Sequence, residues 1–397
     1  MSVSSSGSTL QALADGARAA GRIALDTEFM GEGRYRTLLC LVQVAIPPGA
    51  GGAGPIELVD PLAEGVDGAP LAAVLADPAI EVVVHAGRQD VALLRRWLDT
   101  DLTNVFDTQV AAGFVGLGAQ TSYESLLSEL LDVRLRKSAS FTRWDHRPLS
   151  PEQLGYARED VVHLLELAGE LQRRLQASGR LAWAREECDP LQRASDERDP
   201  EAIFSRLPRI HGQNASTRAV ARELVAWREH TAARRDRPVQ TVLSDAALME
   251  LARRKPARKE DLERIRGVGA AGSGRTAEEV LDAVRRASER PPEAPTHDRR
   301  LPAPKPDDAP LIALAEALLR ARAREAGLAY ELLAARADLQ AIVAARRDAE
   351  EADVRTLRGW RRELVGEELL ALLDGRVALS VSHSANGRRL LVDPKST

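Results

Sequence analysis

The chain has almost no cysteine, little lysine, few aromatic side chains and no long apolar run, and each shortage narrows what it can be. Its 2 cysteines, Cys40 in a strand-like run and Cys188 in an acidic stretch, exclude a disulfide framework and a thiolate metal site. No apolar run reaches the ~18 residues of a membrane span. The opening MSVSSSGSTL lacks both the charged and the apolar part of an export signal, so a cytoplasmic protein is expected. The glycines from Gly49 to Gly54 lack the Lys and Ser/Thr of a phosphate loop, and no Ser/His/Asp or Cys/His arrangement stands out.

What is present is globular: 397 residues, 44% apolar and 29% charged, a length that suggests two or three domains. The net charge of -4 conceals an asymmetry. Residues 1–200 carry 19 Lys+Arg against 29 Asp+Glu, whereas residues 201–397 carry 36 against 30. The first half is the better cation binder and the second the better polyanion binder.

Residues 22–29, 38–46 and 56–60 read as three strands whose short connections favour antiparallel neighbours. Alternation follows: a helix near 68–76, strand 81–85, a helix near 87–98, strand 104–107, then helices near 108–116, 122–131 and 151–178. That order predicts an α/β domain with a mixed sheet. The acidic stretch from 182 to about 205 reads as a bridge, and 206–290 as a small all-α unit. Residues 291–310 hold seven prolines and read as a semi-rigid linker. Residues 311–381 are again helical, which raises the prospect of a degenerate repeat, and the tail beyond them gives no clear signal.

The chemistry is concentrated in acids. In RIALDTEFM, Asp26 and Glu28 interrupt a core strand and, two residues apart, face the same way. Side by side they repel, and a divalent cation between them removes the conflict. Asp90 shares a helix face with Leu94 and Trp97, which puts a charge on an apolar stripe. Asp160 lies one helical turn after Tyr156 on the same face. Alone, each would read as a cap or surface acid; together, Asp26, Glu28, Asp90 and Asp160 make an oxygen-rich set suited to Mg²⁺ or Mn²⁺. Two such ions are the arrangement used for in-line displacement at phosphorus. On that chemistry Asp26 bridges both ions, Glu28 and Asp160 hold the nucleophile-side ion, Asp90 supports the second, and Tyr156 orients the attacking water.

Five segments, DTEF at 26–29, HAGRQDVALL at 85–94, FDTQVAA at 106–112, KSASFTRWDHRPLS at 137–150 and YAREDVVHLL at 156–165, together closely resemble the ribonuclease D family, 3′→5′ exoribonucleases of the DEDD superfamily. The Tyr-x-x-x-Asp spacing is that of its tyrosine branch. The resemblance runs in order from residue 20 to about 180. It implies a ribonuclease-H-like α/β exonuclease domain with a mixed sheet, placed at 1–185. Residues 207–269 resemble the helicase-and-ribonuclease-D C-terminal (HRDC) domain, an all-α nucleic-acid-binding module; a first copy is expected at 206–290 and a second, degenerate one at 311–381. One departure stands out: Arg143 precedes Trp144 and the acid, Asp145, follows it, where the family often has the acid first.

The expected RNA contacts are phosphate-binding cations, Arg254 and Lys255 among them, and backbone amides at the Gly267-Val268-Gly269 turn. The same cations also suit a solvated helix end. Phe29 and Met30 are placed to wedge against terminal bases, with core packing the alternative for Phe29. His85 either lines the scissile site or is structural, and Asp107 reads as a helix cap. The resemblance implies a metal-dependent exoribonuclease with two Mg²⁺ or Mn²⁺ ions, releasing 5′-monophosphates and trimming the 3′ ends of transfer RNA precursors and other small structured RNAs. No membrane association, no obligate protein partner and a monomer are expected. A DNA 3′→5′ exonuclease and a non-catalytic RNA-binding scaffold are the rival readings.

Overall fold

A computed structural model describes residues 7–48, 54–135, 143–289, 305–384 and 387–394. Most of the proline-rich stretch, residues 49–53 and all of KSASFT at 137–142 therefore lie outside the described residues. Helix α1 (Gly7–Ala20) leads into β1 (Arg22–Met30), β2 (Leu38–Ala45) and β3 (Ile56–Val59). Then follow α2 (Ala69–Leu75), β4 (Glu81–Val84), α3 (Arg88–Leu98), β5 (Val105–Asp107), α4 (Thr108–Gly113) and α5 (Tyr123–Leu131). The sheet order is β3-β2-β1-β4-β5, with the first three strands antiparallel and β4 and β5 parallel to β1 and to each other. The expected mixed sheet is present.

The alternation of β1 decides which way the acids face. Ile23 and Leu25 belong to the apolar layer built with Leu10, Leu71, Val74 and Val91 of α1, α2 and α3. Ala24 faces the other way, onto the layer that contains Val161 and Leu164. By the two-residue period Asp26 and Glu28 continue that second face. Just beyond Glu28 the register with β2 slips by one residue, Glu28 pairing with Leu41 and Phe29 with Leu39. Such a bulge re-aims the strand after the acids.

The helix expected over 151–178 is two helices, α6 (Pro151–Val162) and α7 (Leu164–Ala177), broken at His163. Ser150 and Gln153 form a reciprocal cap that fixes where α6 begins. The stretch expected to bridge from 182 to 205 is structured: α8 (Leu181–Cys188), a 3-10 turn over Asp189–Arg193 and α9 (Pro200–Ser205). Its polarity reflects charge pairing to the body of the fold, as in Arg96–Asp196 and Arg185–Glu81.

Two helical units follow. The first contains α10 (Ala215–Arg235), α11 (Val239–Val242), α12 (Asp245–Arg254), α13 (Lys259–Glu263) and α14 (Gly274–Glu289). It closes on its own core of Leu224, Leu248, Leu262 and Val280. The second contains α15 (Ala309–Ala326), α16 (Tyr330–Leu333), α17 (Arg336–Arg347), α18 (Gly359–Arg361) and α19 (Glu367–Leu373), and α15 already includes Pro310 of the expected linker. Both units run long helix, single turn, medium helix.

Their attachments differ. The second unit has no core of its own: Ile312, Leu318, Leu332 and Val365 share one layer with Leu126, Leu164 and Leu171 of the exonuclease region. Trp360 lies between Trp183, stacked at 5.0 Å, and Phe114 at 5.3 Å. A Cβ on Gly113 would stand 3.0 Å from Leu332 Cδ1, so glycine permits the close approach. The first unit instead meets the β1–β2 turn through polar groups. Arg34 pairs with Asp236 at 2.9 Å, the Tyr35 hydroxyl donates to Glu229 at 3.1 Å, and Arg198 donates to Glu229 at 2.7 Å.

The helical expectation to residue 381 is corrected at its end. Strands β6 (Val377–Ser384) and β7 (Gly387–Pro394) pair as an antiparallel hairpin, whose Val377 and Leu379 lean on the second unit. No helix among the described residues is long and apolar enough to cross a membrane.

Candidate active site

Asp26 and Glu28 from β1 meet Asp160 from α6, with one carboxylate oxygen of each within 4.8 Å of the others. Tyr156, one turn before Asp160, joins them in a cleft of about 260 Å³ whose walls include His85, Tyr123 and Leu164. Burial and mutual repulsion raise the acids' pKa values. Asp26 is pushed well above the usual range by burial, then by Asp90, Asp160 and Glu28. Glu28 is pushed up to about 8 by burial, then by Asp160 and Asp90, and Asp160 to about 7 by burial and Glu159. Three hard oxygen donors that repel one another fit a divalent cation, whose charge removes the repulsion.

Asp90 is placed differently from the trio. It is 7% exposed and accepts a hydrogen bond from the Thr27 hydroxyl, on the face of β1 opposite Asp26. It acts on the trio through its charge. Tyr156 packs its ring 6.1 Å from that of Trp144, and burial, with Asp160, Glu28 and Asp26, pushes its phenol up to about 12. At pH 7 it is a hydrogen-bond donor and not a base.

Phe29 is 39% exposed, which disfavours core packing, whereas Met30 packs against the cluster of Trp144, Leu149 and Leu154. Asp107 caps α4, accepting from the amides of Gln109 and Val110, and also receives those of Ala86 and Gly87. Arg143 is exposed and pairs with Asp145 at 3.2 Å. In the first helical unit, Arg254 and Lys255 border a cleft of about 470 Å³ with Arg264 and Asp261. Lys255 donates to Ser216 at 2.6 Å and Arg254 to Glu250 at 2.6 Å. Gly267 and Gly269 both have positive φ, +86° and +49°, a turn that favours glycine. A larger cleft of about 520 Å³ lies between α3 and residues 194–197, but its Arg95 and Arg96 are already paired with Asp101 and Asp196. Donor chemistry, and not size, singles out the smaller one.

Tyr123 is the site residue that the sequence did not disclose. It opens α5 behind the Ser122 cap, thirty-odd residues from the nearest of the quoted acids, and nothing in TSYESLL ties it to them.

A mixed sheet carrying two acids on its first strand, met by a third acid and a tyrosine on a later helix, is the site of a metal-dependent 3′→5′ exonuclease. The comparisons agree. A 3′-5′ exonuclease family model matches residues 2–176, and an HRDC domain model residues 217–284. Ribonuclease D of Gluconacetobacter diazotrophicus is 38% identical over 362 residues, covering 90% of this chain and 89% of that protein. Ribonuclease D of Zymomonas mobilis is 37% identical over 378 residues, covering 94% of each. The crystal structure of Escherichia coli RNase D, described as an exoribonuclease involved in structured RNA processing, superposes with a TM-score of 0.80 at 28% identity, covering 94% of this chain and 99% of that one. The chain belongs to the ribonuclease D family, and it is a 3′→5′ exoribonuclease.

Proposed function

We propose that this exoribonuclease removes nucleotides one at a time from RNA 3′ ends, releasing 5′-monophosphates, and that transfer RNA precursors and other small structured RNAs are its substrates in the cytoplasm. The observation that carries the reading is the three-carboxylate group of Asp26, Glu28 and Asp160 beside Tyr156 in one cleft. Asp26, Glu28 and Asp160 would hold divalent cations, Mg²⁺ or Mn²⁺ and two in number, with Asp90 supporting from behind β1. Cations at such a donor set supply Lewis acidity toward phosphate and water. Tyr156, protonated at neutral pH, orients the attacking water by hydrogen bonding. Phe29, exposed just past the acids, stacks on a terminal base, with Met30 backing it from the Trp144 cluster.

The working organisation is an exonuclease domain at 1–185, an HRDC-like unit at 206–290, and a second helical unit from Ala309 to Leu373 that the β6–β7 hairpin follows, in a monomer. Arg254, Lys255 and the amides around Gly267 and Gly269 hold the RNA body, while the acidic domain takes the 3′ tail.

The test is incubation with a 3′-tailed transfer RNA and a matched DNA strand in Mg²⁺, Mn²⁺ or EDTA, following product length. A metal-dependent ladder shortening from the 3′ end of RNA is expected. Equal trimming of DNA would move the substrate assignment, and tight binding without shortening would leave a scaffold. Asp26→Asn should lower hydrolysis by about a hundredfold or more while RNA affinity stays within about twofold.

A further inference from the structure

The segment from Arg143 to Ser150 leads into α6, the helix that bears Tyr156 and Asp160, and one side chain within it holds it down. Arg147 has five N–H groups, and all five are used inside the protein. Its Nε donates to Asp60 Oδ2 and its Nη2 to Asp60 Oδ1, each at 2.5 Å, a two-point fork. The same Nη2 donates to the Cys40 carbonyl at 2.7 Å. Nη1 donates to the carbonyls of Trp144 at 2.8 Å and His146 at 2.9 Å. With no donor left over, Arg147 is a brace and not a phosphate ligand.

Each anchor has a place in the fold. Asp60 directly follows β3, is buried, and is itself fixed by accepting the Leu62 amide at 2.9 Å. Cys40 is the β2 residue that the register skips where Glu28 pairs with Leu41 and Phe29 with Leu39. Arg147 therefore ties the entry of α6 to the ladder immediately beside Glu28. The third anchor fixes the backbone of Trp144, whose side chain is buried in a small apolar cluster with Cys40, Leu58 and Leu154, separate from the two large layers of the sheet. Tyr156 packs on that cluster, its ring 6.1 Å from that of Trp144 and tilted by 41°.

Tyr156 thus lines the cleft while its ring leans on Trp144. Alignment of a group with a reacting water is sensitive to displacements of about 1 Å, so what holds Trp144 also governs the tyrosine. A lysine at 147 would keep the charge, but its single nitrogen cannot span a carboxylate and three carbonyls. We propose that Arg147, locked to Asp60, is a positioning residue: it holds Trp144 against the Tyr156 ring and so sets the tyrosine hydroxyl where it meets the attacking water. This rests on the reading of Tyr156 given above.

The test is a cycle of variants in the full-length protein, Arg147→Lys, Tyr156→Phe and the two combined. First-nucleotide release from an RNA oligonucleotide is measured in Mg²⁺, RNA affinity in EDTA, and folding by circular dichroism. Arg147→Lys should lower kcat by about tenfold, with KM and RNA affinity within about twofold. Tyr156→Phe should lower kcat at least as far, and adding Arg147→Lys to it should slow the reaction by less than about twofold more. Asp60→Asn, which keeps one acceptor oxygen in place, should show the same dependence on Tyr156 in a milder form, and it takes the place of Arg147→Lys if that variant does not fold. Losses that multiply in the double variant would overturn the inference and leave the Tyr156 reading intact, because Arg147 would then act elsewhere. So would an undiminished rate for folded Arg147→Lys, or a loss that falls on KM or on affinity in EDTA. An undiminished rate for Tyr156→Phe would overturn the Tyr156 reading and the inference with it.

Discussion

The two helical units share an order of elements and differ in how they are fastened. The first, nearer in sequence to the exonuclease region, has a closed core of its own and touches that region through Arg34–Asp236, Tyr35–Glu229 and Arg198–Glu229. The second, farther along the chain, lends Leu332, Trp360 and Val365 to the apolar layer that also contains Phe114, Val161 and Leu164 of the exonuclease region. Apolar burial is not screened by salt, whereas part-exposed ion pairs are. The lesson is that distance along the chain does not rank mechanical coupling: the far unit is welded and the near one is clasped. Two melting transitions follow, one for the welded body and one for the clasped unit.

The largest test of that division uses pH. Glu28, at about 8, and Asp160, at about 7, sit above the ordinary carboxylate range in the folded protein, and both belong to the welded body. Unfolding lets them lose their protons earlier. Without metal, the contribution of these two groups to stability is therefore fully present below about pH 4 and falls up to about pH 8, by about 1.4 kcal/mol per pH unit for each group titrating. Calorimetry in EDTA should show the body's transition falling across that window while the clasped unit's does not, and Mg²⁺ should reverse the trend. A joint fall of both transitions would break the comparison.

Trp360→Ala comes next, with an expected loss of about 3–5 kcal/mol. Chemical denaturation should show the exonuclease region and the second unit weakening together. A loss confined to the second unit would mean that it folds separately. The smallest effect is expected from Tyr35→Phe combined with Asp236→Asn, about 1 kcal/mol or less. Small-angle scattering should then report a more open first unit, the more so in high salt, with the body's melting unchanged.

Much of the catalytic region was legible because its signals are local. The Asp26/Glu28 pair is a two-residue period, and the Tyr156–Asp160 face is a one-turn spacing on a capped helix. Asp90 was harder: its helix face was clear, but its partner, Thr27 across the sheet, is a pairing only the fold creates. Tyr123 reaches the site for the same reason, through the packing of α5. The segment after Cys188 read as a bridge because charge pairs, and not apolar residues, hold it down. The hairpin at 377–394 did leave a signal, Val377, Leu379 and Val381 alternating with smaller or polar residues, but it directly follows a helical run that masks the change of period.

The shared apolar layer also has a meaning in time. A ribosome emits this chain from the amino end, and the layer spanning Leu126 to Leu372 cannot close until the last helices have left the exit tunnel. Until then Phe114 and Trp183, which Trp360 covers in the finished fold, lack that cover. Stalled nascent chains ending near residue 300 should therefore be cut by protease near Phe114 and Trp183, and the released full-length chain should resist. One face of the nuclease sheet can close as soon as residues 10–194 are out, while the other waits for the end of the chain.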